Sequence, residues 1–113
     1  MIVNQVAMTV LNDLPDTPLS PFFARANWVA VFDLDSGRRV LVRNSAYSAD
    51  LIIEQICRVV PQHAICGHVD KSSAQRILEA GIDLRLGPCS VPASALLRSA
   101  HQLPQAHSAL AFE

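Results

Sequence analysis

The sequence predicts an α/β fold: a five-stranded mixed sheet flanked by helices, with its elements in the order βββαβαβα. Three observations lead there. Residues 2–43 carry three strand-like apolar segments separated by turn chemistry. After Ser48 the apolar period lengthens to that of a helix, and helical and extended segments then alternate. The chain has 113 residues and is 50% apolar, which suits one domain with a core of its own, burying about 65% of the unfolded surface.

Ile2 to Leu11 is rich in Val, Ile, Met and Thr with partial alternation, and reads as the first strand. Asn12 to Pro18 holds two prolines and two aspartates and reads as loop. Asn27 to Leu34 is almost continuously apolar, the mark of a central strand. Asp35-Ser36-Gly37 is a hairpin turn. Arg38 to Arg43 sets Arg39, Leu41 and Arg43 against Val40 and Val42, as in a half-exposed third strand. Ser48 can cap a helix over Ala49–Val60 whose apolar positions Ile52, Ile56, Val59 and Val60 share a face, with Pro61 just beyond it. Cys57 falls on the same side as Ile53 and Val60 and reads as core.

Ala64-Ile65-Cys66 is a short fourth strand ending at Gly67. Ser72 or Asp70 caps the next helix, which turns Ala74, Ile77 and Leu78 inward, and Gly81 suits its C′ position. Ile82 to Leu86 is the fifth strand, closed by Gly87 and Pro88. Ser90 is expected to cap a third helix with Pro92 in its first turn and Leu96, Leu97 and Ala100 inward. Residues 1–103 then form a single α/β domain and 104–113 a C-terminal tail. The first three strands form a meander, and each βα crossover is right-handed.

Composition narrows the function classes. The formal net charge is −1 and Lys71 is the only lysine, so no broad nucleic-acid surface is expected. No basic region followed by an apolar run opens the chain, and no apolar stretch nears the ~20 residues that cross a bilayer. A cytoplasmic location without membrane contact is the expectation. Cys57, Cys66 and Cys89 form neither a CxxC pair nor an even set, which reads as free thiols in a reducing compartment.

Two segments resemble a known family. Residues 20–26, Ser-Pro-Phe-Phe-Ala-Arg-Ala, resemble the S-x-H-F-G-x-A signature of the nitrogenase iron–molybdenum cofactor carriers of the NifX type, also found as a C-terminal domain of NifB proteins. Ser20, Phe23 and Ala26 keep the pattern. Phe22 stands at the family histidine and Ala24 at the family glycine. Residues 65–82, opening Ile-Cys-Gly-His and closing Ala-Gly-Ile, are similar to the family's I-T-G-H-x-G-x-x-A-x-x-x-L-x-x-A-G-I, with Asp70 at a glycine. The resemblance covers roughly residues 2–103. It implies a ribonuclease H-like arrangement and a non-catalytic carrier or chaperone of an iron–sulfur-based metallocluster, such as a nitrogenase cofactor intermediate. A cluster-donor or cluster-acceptor protein would be the partner.

In an open sheet, ligands favour the crevice beyond the carboxyl ends of parallel strands. If strands one, four and five are parallel neighbours, loop 12–26, Cys66-Gly67-His68 and Gly87-Pro88-Cys89-Ser90 converge at one edge. Cys66, His68 and Cys89 are therefore the candidate metal and cluster ligands, since thiolates and imidazole suit iron–sulfur clusters. Each has a plainer reading. Cys66 suits a small buried position at a strand end, Cys89 a packed turn, and His68 a hydrogen bond to the next helix's N-terminus. His63, His101 and His107 read as surface residues. Phe22 and Phe23 form either a satellite core under their loop or an exposed apolar patch for a partner.

Enzyme readings fare worse. A ribonuclease H-type nuclease needs carboxylates around two metal ions, one of them in the middle of the first strand. Residues 3–10 contain no acid. A thiol enzyme built on Cys66 or Cys89 with His68 lacks an evident third orienting group. The alternative to the carrier is a protein-interaction domain of the same fold that has lost cluster binding.

Overall fold

The computed structural model describes residues 4–45 and 48–106. Its strands are β1 (Gln5–Val10), β2 (Trp28–Asp33), β3 (Arg39–Arg43), β4 (His63–Cys66) and β5 (Asp83–Leu86). Its α-helices are α1 (Ala49–Val59) and α2 (Lys71–Glu79). Two 3₁₀ segments complete it, a turn over Phe23–Arg25 and a longer run over Ala93–Gln102.

The sheet runs β3-β2-β1-β4-β5. β1 sits in the middle, antiparallel to β2 and parallel to β4, and β5 continues the parallel half. β3 closes the antiparallel half. The expected five-stranded mixed sheet with parallel strands one, four and five is therefore present. Both faces are covered, which is why β1 is apolar without strict alternation. Ala7, Val31, Ala64 and Leu84 meet Ile52, Ile53 and Ile56 of α1 and Ala74 and Ile77 of α2 on one face. Val6, Met8, Val10, Phe32 and Ile65 meet Ala93, Leu96 and Ala100 on the other. Full burial of each large aliphatic chain contributes about 1.5–3 kcal/mol, so the two layers hold the sheet from both sides.

The helix caps follow from local chemistry. The Ser48 hydroxyl accepts the Asp50 amide and opens α1. At α2 the choice between two residues resolves to Asp70, whose carboxylate accepts the Ser73 amide at 3.0 Å. The Ser73 hydroxyl first, and that amide bond after it, lower the Asp70 carboxyl below its ordinary value. Gly81 takes φ +82 as the C′ residue, a conformation a Cβ would oppose.

Several expectations are corrected. The third helix is a 3₁₀ run broken at Ser99, and Ser90 does not cap it. Pro92 holds the cap position because Pro18 and Pro92 bridge, and the Ala93 amide donates to the Thr17 carbonyl at 2.8 Å. A loop carbonyl thus takes the role expected of Ser90. Val60 leaves the apolar face of α1. Pro61 disfavours helical backbone at the residue before it, and Val60 takes φ 49 with its side chain 62% exposed. Cys57 is half-buried against the helix-side core. On the edge strand β3, Val40 is exposed while Leu41 packs inward.

His63 is no free surface residue. Its Nδ1 lies 2.7 Å from Asp83, its register partner across the β4–β5 pair. Asp83 also accepts Nε of Arg85, and the Arg85 guanidinium donates to the His101 and Leu103 carbonyls. Residues 104–106 then pack on the sheet. The Leu86 amide donates to the Pro104 carbonyl at 2.9 Å, Gln105 bridges Arg85, and Ala106 is buried. His101 is exposed as expected, and His107 lies outside the described residues. Among the described residues no helix is long and apolar enough to cross a membrane.

The Asp70 cap gives a pH-dependent prediction. Asp70→Ala should lower stability by about 1 kcal/mol at neutral pH. A carboxyl whose folded pKa is lowered stabilises above its unfolded pKa of about 4 and loses that contribution as pH falls through the folded value. Urea denaturation should therefore show a constant gap between wild type and Asp70→Ala above about pH 5 that narrows below about pH 4. A gap that widens in acid contradicts the capping role.

Candidate functional site

The site edge is built by a backbone clasp. Beyond β1 the chain loops out and returns, and the Ser20 amide donates to the Thr9 carbonyl at 2.9 Å. Pro21 and Phe22 then run beside the residues that follow β4. The His68 amide donates to the Pro21 carbonyl at 2.8 Å, and the Phe23 amide donates to the His68 carbonyl at 2.8 Å. Phe22 and His68 thereby pair like neighbouring parallel strands. Across β4, the Gly87 amide donates to the Cys66 carbonyl at 2.9 Å, which carries Cys89 to the same edge.

Gly67 makes this approach possible. A Cβ built there would lie 2.6 Å from the Ser20 carbonyl oxygen, 3.0 Å from Cys89 Sγ and 3.2 Å from the Pro21 carbonyl oxygen. The first and last obstacles are backbone, so they cannot rotate away. At Gly87 a Cβ would meet only side-chain ends of Leu19, Leu96 and Ile65.

The candidate ligands separate in this frame. His68 and Cys89 line one cleft of about 260 Å³ with Pro21, Gly67, Leu86 and Gly87. Cys66 does not reach it. The residue is 1% exposed and belongs to the helix-side core, and its thiol faces the Arg85 carbonyl at 3.9 Å. Burial first, and the nearby Cys89 second, push the Cys66 thiol up to about 12. A thiol held protonated in the core is poorly placed to ligate. Cys89 is half-buried, and burial raises its thiol as well. Among the described residues no three His, Cys, Asp or Glu side chains gather into a metal site of protein donors alone.

The two phenylalanines also part. Phe23 is 2% exposed and belongs to the helix-side core, so it cannot present a partner surface. Phe22 is 56% exposed and stands beside His68, with ring centroids 6.3 Å apart and planes 14° from parallel. A second cavity, of about 530 Å³, opens along Phe22, Phe23, Arg25, His68, Val69 and Asp70. Arg25 and Asp70 were not singled out from sequence as lining residues. Their spacing from Phe22 and His68 along the chain was the available signal.

Comparison with known proteins bears on the fold. No protein-family model and no curated protein matches the sequence. Among solved structures, the apo form of the orange protein from Desulfovibrio gigas aligns with a TM-score of 0.80 at 20% identity, covering 93% of this chain and 94% of that one. A Thermotoga protein described as a NifB protein of the DUF35 family aligns with a TM-score of 0.69 at 16% identity, covering 88% and 87%. At these identities the likeness establishes a shared fold over nearly the whole chain.

Two predictions follow from the geometry. Gly67→Ala should destabilise by about 2–3 kcal/mol and Gly87→Ala by less, because only the first meets backbone. Equal losses in urea denaturation contradict the close approach. In the folded protein at pH 8, maleimide should modify Cys89 and spare Cys66 until the chain unfolds. Labelling of Cys89 should quicken as pH rises, since the thiolate is the reacting form and burial raises this thiol above its ordinary value. Mass mapping that finds Cys66 modified first contradicts its burial.

Proposed function

We propose that the protein is a non-catalytic carrier of an iron–sulfur-based metallocluster, with the cluster as cargo held between His68 and Cys89. The observation that carries this reading is the shared cleft: one imidazole and one thiol line the same small cavity beyond the carboxyl ends of β4 and β5. Both are donors that iron and other thiophilic metals accept. Resident electron-transfer clusters take four protein ligands. A two-donor cleft leaves the rest of a cluster's coordination free for whatever delivers or receives it, which suits transient holding. The parallel β1–β4–β5 half with antiparallel β2 and β3 beside it is the frame we read as ribonuclease H-like. One of the similar structures is an apo form and another is described as a NifB protein, which supports cargo binding on this frame. The partner in this reading is a cluster-donor or cluster-acceptor protein.

Cys66 is left out of the ligand set. Phe22 supplies no lone pair where the resembling family has histidine, so His68 and Cys89 carry the coordination by protein. A cysteine binds metal as its thiolate, and burial raises the Cys89 thiol above its ordinary value, so cluster uptake releases its proton and strengthens as pH rises. A second reading, a protein-interaction domain that has lost cluster binding, draws on the exposed Phe22 ring.

Anaerobic reconstitution with iron and sulfide, followed by metal analysis, separates the two. Wild type should retain iron. Cys89→Ser and His68→Ala should each weaken retention by more than the ~10-fold lost on removing an outer-shell partner. Cys66→Ala should leave it in place, and Phe22→His should strengthen it. If wild type retains no iron, the interaction-domain reading leads.

A further inference from the structure

Phe22 is an exposed aromatic ring on a fixed backbone. Its carbonyl accepts the Ser20 hydroxyl at 3.0 Å and the Arg25 amide at 3.2 Å. The residues on either side are tied to His68 through the Pro21 carbonyl and the Phe23 amide, and the buried Phe23 ring anchors the loop from below. An exposed ring on a mobile loop would need ordering before it could bind anything. Here the ordering is already present in the free protein.

The ring does not stand alone. It lies near-parallel to the exposed His68 ring, and together they wall the cavity of about 530 Å³. That volume is in the range of small-molecule sites, roughly 300–1,000 Å³. Val69 and Phe23 add apolar lining. Two charged residues complete it. The Asp70 carboxylate is turned to the Ser73 amide at the start of α2, where the positive end of the helix offsets its charge. Arg25 is exposed and forms no ion pair among the described residues. Arg25 and Asp70 bring opposite charges to the cavity, and Arg25 is the one without a charged partner among the described residues, so it is the group an anion can meet.

We propose that this cavity binds a planar aromatic molecule bearing one anionic group, with its ring against Phe22 and His68 and its anion toward Arg25. The site adjoins the His68–Cys89 cleft and shares His68 with it, but it is complete in the metal-free protein and does not rest on the cargo reading. Its test uses no metal, so either idea can fail without the other.

The probe is 2-naphthoate, added to the metal-free full chain at neutral pH and followed by amide shifts in ¹H–¹⁵N spectra. Shifts are expected at residues 22–25 and 68–70. Phe22→Ala should weaken binding about three- to tenfold, the loss of one aromatic contact. Phe22 is exposed, so the variant should fold, and unchanged thermal unfolding checks this. Phe22→Leu keeps apolar volume without a ring and should weaken binding nearly as much. Arg25→Gln should weaken naphthoate about two- to fivefold and leave the uncharged naphthalene-2-carboxamide unaffected. Cyclohexanecarboxylate, anionic but not planar, should bind more weakly than naphthoate. The proposal is overturned if naphthoate produces no saturable shifts, if the shifts fall elsewhere, if Phe22→Ala binds like wild type, or if the carboxamide binds as well as the carboxylate.

Discussion

The close approach of Gly67 to the Ser20–Pro21 backbone is the constraint on which the functional edge depends. Hydrogen bonds run both ways between the loop and His68, and they form only because nothing projects from residue 67. This clasp fixes where the His68 ring emerges, how far Cys89 can approach and which way Phe22 faces. It also explains the division of labour along the loop. Phe23 turns down into the helix-side core and holds the loop, while Phe22 is left to solvent. The parallel β1–β4–β5 half supplies the platform, since parallel strands deliver their following segments to the same side.

The clasp has a chemical consequence. It joins two cavities through one residue, His68, with a thiol on one side and an aromatic ring on the other. Its donors are few and its surroundings partly apolar. Burial then sorts the thiols. Cys66 is consumed by packing, whereas Cys89 remains at the cleft wall with its proton raised but removable. The same physical effect, desolvation, raises both thiols, and only the Cys66 thiol is sealed in the core.

Much of the sheet was legible because its signals are local. The apolar run from Trp28 to Phe32, the turn at Asp35-Ser36-Gly37 and the caps at Ser48 and Gly81 follow from residue chemistry within a few positions. The misread elements are those decided by distant contacts. Ser90 looks like a cap, but the Pro18–Pro92 bridge and the Thr17 carbonyl replace it. His63 looks exposed until the β4–β5 register sets it against Asp83. Residues 104–106 look like tail until Arg85 draws the preceding carbonyls over β5. At the site, the convergence of His68 and Cys89 was readable from parallel topology. Which of two adjacent phenylalanines is buried, and that Cys66 faces the core, depend on side-chain direction at a strand end and on loop geometry, which a sequence pattern does not fix.

In the proposed reading, any cluster carried by this protein is held by the His68 imidazole and the Cys89 thiolate. X-ray absorption at the iron edge of anaerobically loaded protein tests this most directly. A nitrogen ligand with the outer-shell scattering of an imidazole should be present in wild type and lost in His68→Ala. An all-sulfur shell that is identical in wild type and His68→Ala would contradict it.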